Sequence, residues 1–165
     1  MNFAKDWSSS KKFLFAFAIA TFIVSVAVFV ISSIPTSEEV ERRSLEGAFR
    51  EGSAEFERLT RKISIANDDE NTLESPTALG TIMMSLSGRI RNMTGKSITG
   101  LEIKVSVVDS ENKPIREKIL VVIPTRKEVL LPDEILPVRV TIDGFKPDDD
   151  RAMVRWKVTA IKVVE

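Results

Sequence analysis

Hydrophobic positions along the chain fall into three regimes. The first is continuous: Phe13 to Ile34 is 22 residues without a charge or a proline, and 18 of them are hydrophobic. At 1.5 Å per helical residue this run spans about 33 Å, enough for a hydrocarbon core of about 30 Å. Its polar members, Thr21, Ser25, Ser32 and Ser33, can bond back to helix carbonyls. A cleaved leader would have a shorter apolar stretch and an A-x-A-like exit. Here the exit reads Ser32-Ser33-Ile34-Pro35-Thr36-Ser37. The run therefore predicts a single transmembrane helix that takes the lipid bilayer as its partner. Lys5, Lys11 and Lys12 precede it, against Arg42 and Arg43 after it. That bias places the 1–12 tail in the cytoplasm and the C-terminal part outside the cell membrane, in a periplasmic position.

Residues 35–62 form the second regime. Thr36-Ser37-Glu38-Glu39 fits a helix capping box, and apolar residues recur at Val40, Leu45, Phe49, Phe56, Leu59 and Ile63. Leu45, Phe49, Phe56 and Leu59 make a candidate helix-packing stripe. As a coiled-coil seam it would pair two copies in a weak homodimer. As an ordinary amphipathic stripe it would pack on its own domain or on the membrane surface. Gly47 and Gly52, each weakening a helix by about 1 kcal/mol, favour the second reading. The helix is expected to stop near Arg50, with an extended lead-in from Ser53.

From Ile63 the period becomes two. Ile63 and Ile65, then Ile82, Met84, Leu86, Gly88 and Ile90, then Leu101, Ile103, Val105 and Val107 alternate with polar residues. Ile115, Ile119, Val121 and Ile123 continue the pattern, followed by a short stretch at Glu128–Leu131. Leu136, Val138, Val140 and Ile142, then Val154, Trp156, Val158 and Ala160, complete it. Polar loops and turns punctuate these runs, and no helical period lies between them. The pattern predicts a mainly β domain over 63–165, an antiparallel immunoglobulin- or fibronectin-like β-sandwich of about seven strands with a largely aliphatic core around Trp156.

Composition narrows the chemistry. Lys+Arg and Asp+Glu both number 24, so no net field steers nucleic acid to the chain. Cysteine, histidine and tyrosine are absent, which removes disulfides, Cys/His metal sites and thiol or Ser-His-Asp catalysis. Asp148-Asp149-Asp150 and Asn67-Asp68-Asp69-Glu70 lack the spacing of a cation loop and read as turns. Asn92-Met93-Thr94 is a formal glycosylation triplet. No catalytic, metal or cofactor-binding residue is expected. The outward strand positions are basic, and Arg89, Arg91, Lys104, Arg139, Arg155 and Lys157 make a candidate interaction surface, with Arg116 and Lys118 on the same reading also outward. The alternative role for these charges is to keep strand edges from aggregating.

Gly88-Arg89-Ile90-Arg91-Asn92-Met93-Thr94-Gly95 follows a strand-and-turn pattern G-x-[IV]-x-N-x-[ST]-G. With the loop Asp109–Lys113 and the Leu131-Pro132 turn, residues 80–164 resemble the FxLYD-type and related bacterial membrane-anchored immunoglobulin-like domains. The last strand, Val154-Arg155-Trp156-Lys157-Val158, departs from the F-x-L-Y-D ending. The resemblance implies a sandwich behind one N-terminal membrane helix, and it carries over no functional residue.

Together these readings lead to the expectation of a non-enzymatic, single-pass protein. It would present a β-sandwich outside the membrane as an interaction or assembly module for an envelope or membrane protein. The alternative is a lipid- or small apolar ligand-binding domain of the cell envelope, with Met83, Met84 and Met153 lining a pocket.

Overall fold

The computed structural model describes residues 17, 19–25, 41 and 43–164 of the chain, which divides into two compact units, Met1–Val40 and Glu41–Glu165. In the first unit the described residues are helical, and the Thr21 hydroxyl donates to the Phe17 carbonyl at 2.9 Å, the back-bond expected of a hydroxyl in an apolar helix. Most of the Phe13–Ile34 span lies outside the described residues, as do the 1–12 tail and the Thr36–Glu39 capping box. Among the described residues no helix is long and apolar enough to cross a membrane.

The second unit is two antiparallel sheets of eight strands in all. These are β1 (Phe49–Arg50), β2 (Ile63–Asn67), β3 (Leu73–Pro76) and β4 (Ile82–Asn92), then β5 (Ser97–Val108), β6 (Pro114–Ile123), β7 (Ile135–Phe145) and β8 (Met153–Val164). A seven-residue helix, α1 (Ala54–Thr60), stands between β1 and β2. One sheet runs β1-β8-β5-β6; in the other, β4 pairs with β7 along one edge and with β2 and β3 along its other edge. β2 and β3 lie end to end on β4, separated by one 3-10 turn at Asp69–Asn71. Ser87 of β4 holds that interruption: its carbonyl accepts from Asp68 N at 2.9 Å and its hydroxyl donates to the Asn71 carbonyl at 3.0 Å. β1 and β3, only two and four residues long, are too short to leave a period in the sequence. The expected strand at Glu128–Leu131 is reduced to a bridge between Leu130 and Ile98.

Alternation places the inner rows of β4 and β7 as expected, with Leu86, Ile90, Val138 and Val140 buried in the main core. It misplaces β6. Leu120 and Val122 face the core, Ile119 is exposed, and Val121 joins Leu45 and Ala160 in a second small cluster on the outer face. The last five residues of β6 are all apolar, so alternation cannot choose a face there. The outer face is apolar because the 44–48 segment covers it. A Cβ at Gly100 would stand 3.0 Å from the Ser44 carbonyl and 3.4 Å from Leu45 Cδ2, so glycine lets this segment lie directly on the sheet. A bulge at Thr159 inverts the face of β8 beyond Val158, which puts Ala160 outside and Ile161 in the core.

The expected helix up to about Arg50, with an extended lead-in from Ser53, is also revised where it is described. Glu41, Arg43 and Ser44 are helical, but the helix ends before Leu45, and the stretch after Ser53 is α1 instead of extended. Leu45 lies in a turn, Phe49 is in β1, and only Phe56 and Leu59 share a helix, which buries both against the main core. The four residues do not form one stripe.

Asn92 ties the sheets together. It is fully buried, and its amide nitrogen donates to three carbonyls, Lys96 at 2.8 Å and Leu130 and Leu131 at 3.0 Å. Its side-chain oxygen accepts from the Thr94 backbone at 3.0 Å and the Thr94 hydroxyl at 2.7 Å. The glycosylation triplet is thus an internal clasp whose amide is already spent. Asn92→Asp places an acceptor against those three carbonyls. The expected loss is about 3 kcal/mol and about 10 °C in Tm, measured by far-UV circular dichroism of the full chain in detergent.

Candidate interaction site

The two open sides of the sandwich are finished differently. On the β6/β7 side, Arg116 of β6 donates to the Gly144 carbonyl at 2.8 Å and Lys118 to the Thr141 carbonyl at 2.9 Å. Arg126, just past β6, donates to the Arg139 carbonyl at 3.3 Å. Arg116 and Lys118, expected to point outward, instead pair in register with the inner-row residues Val107 and Val105. They reach across the gap and occupy the carbonyls of β7, a device that blocks an edge from further pairing.

The β8 side has no such closure. β8 is paired with β5 from Met153 to Val164, but on its other edge only Ala160 and Ile161 have a strand neighbour, β1. Among the described residues, Met153–Thr159 therefore presents a bare edge, with Asn67 Nδ2 reaching the Val154 carbonyl at a long 3.4 Å. The sequence after β1 explains the gap. Gly52 takes φ +95°, a left-handed conformation that turns the chain off the edge. Ser53 then caps α1, accepting from Phe56 N at 3.2 Å, and Glu55 and Glu57 in the first turn suit the helix dipole.

Between the bare edge, α1 and β2 lies a groove of about 480 Å³. Phe56, Ile63, Ile65, Trp156 and Val158 give it an apolar wall, and Glu51, Glu57, Thr60 and Lys157 complete the lining. Trp156 packs over Gly88, where a Cβ would stand 3.1 Å from the indole Cζ2 and 3.3 Å from the Ala66 carbonyl. The indole Nε1 is buried without a hydrogen-bond partner. Gly88→Ala should push the indole toward the groove and destabilise the domain by about 1–3 kcal/mol. A red shift of Trp156 emission together with a lowered urea midpoint checks this.

The six basic residues of the sequence-level surface divide between the two sheets. Lys104, Arg155 and Lys157 lie on the outer face of the β8 sheet, with Lys104 and Lys157 directly opposite one another in register. They border a depression of about 210 Å³ beside the bare edge. Arg89, Arg91 and Arg139 lie on the outer face of the other sheet, where Arg91 stands 3.8 Å from Asp133 and Arg139 Nε donates to the Ser87 hydroxyl at 3.3 Å. The two triplets form separate surfaces. Met84 belongs to the core, while Met153 is exposed at the start of β8.

Acidic residues work locally. Asp149 and Asp150 accept backbone N–H bonds from Lys146 and Ser110 at 2.7 and 2.9 Å. Among the described residues no group of three or more acidic side chains is placed to hold a metal ion. Two carboxylates touch the basic face. Hydrogen bonding to Lys157, then its charge, holds the Glu51 carboxyl below its ordinary range, and hydrogen bonds from Ser106 and Lys104 do the same for Glu117. Both folded-state values are lowered, so each pair stabilises the fold above the unfolded carboxylate value. That stabilisation is lost as pH falls through the lowered folded values. Urea midpoints of the wild type and a Glu51→Gln/Glu117→Gln variant should therefore differ near neutrality and converge as pH falls through the lowered folded values. A gap that persists in acid would refute this assignment.

No family model and no curated protein matches this chain. Among solved structures it is similar to the Northeast Structural Genomics Consortium target SoR45, at 11% identity over 64% of this chain and 86% of that one, with a TM-score of 0.40. It is also similar to the Bordetella pertussis target BeR40, provisionally assigned as an ApaA protein. That match has 11% identity over 62% of this chain and 86% of the other, with a TM-score of 0.32. At these scores neither likeness bears on function.

Proposed function

We propose that the chain is a single-pass membrane protein that presents an immunoglobulin-like β-sandwich outside the cytoplasm, as a non-enzymatic interaction or assembly module for another envelope or membrane protein. The observation that carries this reading is the bare β8 edge beside a groove with an apolar wall and a charged one, set against the blocked edge on the opposite side of the same domain. An edge left open in a domain that closes its other side is a surface suited to a partner.

The anchor is supported by the run Phe13–Ile34 and by its described helical residues. Phe17, Ile19, Phe22, Ile23 and Val24 are 46–70% exposed. At 100° per residue those positions ring the helix except for one sector of about 140° that holds Thr21 and Ser25, so apolar surface is offered on most sides, as a helix does when lipid is its solvent. The basic residues Lys5, Lys11 and Lys12 before the run support a cytoplasmic N-terminus.

Two measurements test the reading. A reporter enzyme that is active only outside the cytoplasm, fused after Glu165, is expected to be active; activity of a cytoplasm-only reporter there would reverse the topology. A photo-cross-linking residue at Thr159 is expected to capture a discrete protein in intact membranes, while one at Asp148 is not. Equal labelling from both positions would remove the basis for a specific interaction surface.

A further inference from the structure

The partner's chemistry can be read from the same edge, given the interaction function proposed for it, on which this second reading rests. β1 shows how the β8 edge is filled where it is filled. Phe49 pairs with Ile161 of the core row, while Arg50 pairs with Ala160 and reaches Glu102 across the outer face at 3.2 Å. The next residue, Glu51, reaches Lys157 at 2.8 Å. Of the residues that the chain itself lays on this edge, apolar Phe49 takes the core row while charged Arg50 and Glu51 both turn outward, where their charges complement the outer face. The chain then turns away at Gly52, and the pattern stops with Met153–Thr159 still open.

Each side of the open stretch calls for a different side chain. Inward lies the groove walled by Phe56, Ile63, Ile65 and Trp156, which has room for apolar side chains. Outward stand Arg155 and Lys157, with Lys104 behind them on β5. The Lys157–Glu51 ion pair is exposed, its side chains 53% and 65% accessible, while Arg155 donates to the Asn112 side-chain oxygen and Lys104 pairs with Glu117 at 3.2 Å. Such pairs contribute little and exchange readily. We infer that Met153–Thr159 of β8 binds an extended segment of a partner protein by strand addition, with alternate side chains apolar, into the groove, and acidic, over Arg155 and Lys157. Main-chain hydrogen bonds to the bare edge would supply affinity and the two rows of side chains specificity.

A second copy of the chain fits this edge poorly. Two β8 edges laid antiparallel about Trp156 would set Arg155 of one copy opposite Lys157 of the other at both ends of the contact. Like charges directly across a strand pair are destabilising.

The test uses the full chain in detergent micelles with Trp7→Phe, which leaves Trp156 as its sole tryptophan. The probe is a synthetic peptide of about nine residues, long enough for the edge, alternating valine and glutamate. Comparison peptides carry lysine in place of glutamate, or N-methyl groups on one or the other edge of the strand. Trp156 emission should respond to the glutamate peptide, and the lysine peptide should bind about tenfold more weakly as the cross-strand charge pairs reverse sign. One N-methyl pattern should abolish binding while the other leaves it intact. Arg155→Glu/Lys157→Glu should exchange the preference for glutamate and lysine.

Several outcomes overturn the inference: no response to the glutamate peptide up to its solubility limit, no charge preference, or equal binding of the two N-methylated forms. A peptide-free dimer that cross-links through β8 overturns it as well, because the edge would then belong to a second copy. If the charge-reversed variant still cross-links the native partner at wild-type yield through the probe at Thr159, the acidic-partner assignment fails while the interaction reading survives.

Discussion

The fold hangs on one buried side chain. Asn92 ends β4, and its amide gathers the carbonyls of Lys96, Leu130 and Leu131. Lys96 lies in the turn that carries the chain from one sheet to the other, and Leu130 and Leu131 lie in the connection that carries it back. The backbone repeats the tie: Asp133 N donates to the Asn92 carbonyl at 2.7 Å and Asn92 N to the Glu134 carbonyl at 3.1 Å. Two crossings between the sheets are thereby fixed at one point. Apolar packing alone is non-directional and would tolerate sliding of one sheet over the other. A buried amide with defined partners does not, because any shift leaves several polar groups unpaired in a dry interior.

With the sheets held in place there, the two sides are free to differ. On one, cations lean inward from β6 and occupy the carbonyls of β7. On the other, a glycine and a helix cap divert the chain before it can cover β8. The same basic residue types serve both ends. Arg116 and Lys118 close an edge from within, while Arg155 and Lys157 stand outside the edge that stays open. Position relative to the sheet, more than the kind of charge, separates protection from recognition.

How much of this was legible in the sequence depended on scale. Strands that bury one face, such as β4 and β7, announced themselves by alternation. β6 did not reveal its facing, because its second half is apolar on both sides, one against the core and one under Leu45. The bulge at Thr159 could not be foreseen from a period of two, so Ala160 was assigned to the wrong side. The stripe Leu45, Phe49, Phe56 and Leu59 had helical spacing, yet two glycines divide it into a turn, a strand and a short helix. Alternation marks eight basic residues as outward without saying on which sheet; Arg116 and Lys118 instead sit on the inner row, and the other six divide into two surfaces. Asn92 was visible only as part of a pattern, since nothing local shows that carbonyls nearly forty residues away will meet its amide.

β1 has a further consequence. Among the described residues its only strand partner is β8, and Phe49 and Ile161 stand 112 positions apart in the chain. Loop-closure entropy makes such a contact late, after the hairpin of β5 and β6 and the pairing around β4 have formed. The segment leading in from residue 41 also rests on β5 and β6, where Ser44 and Leu45 lie over Gly100 and Leu45 meets Val121, and its strand pairing is added when β8 is in place. From then on, part of any pull on that lead is carried by the strand whose outer edge remains open.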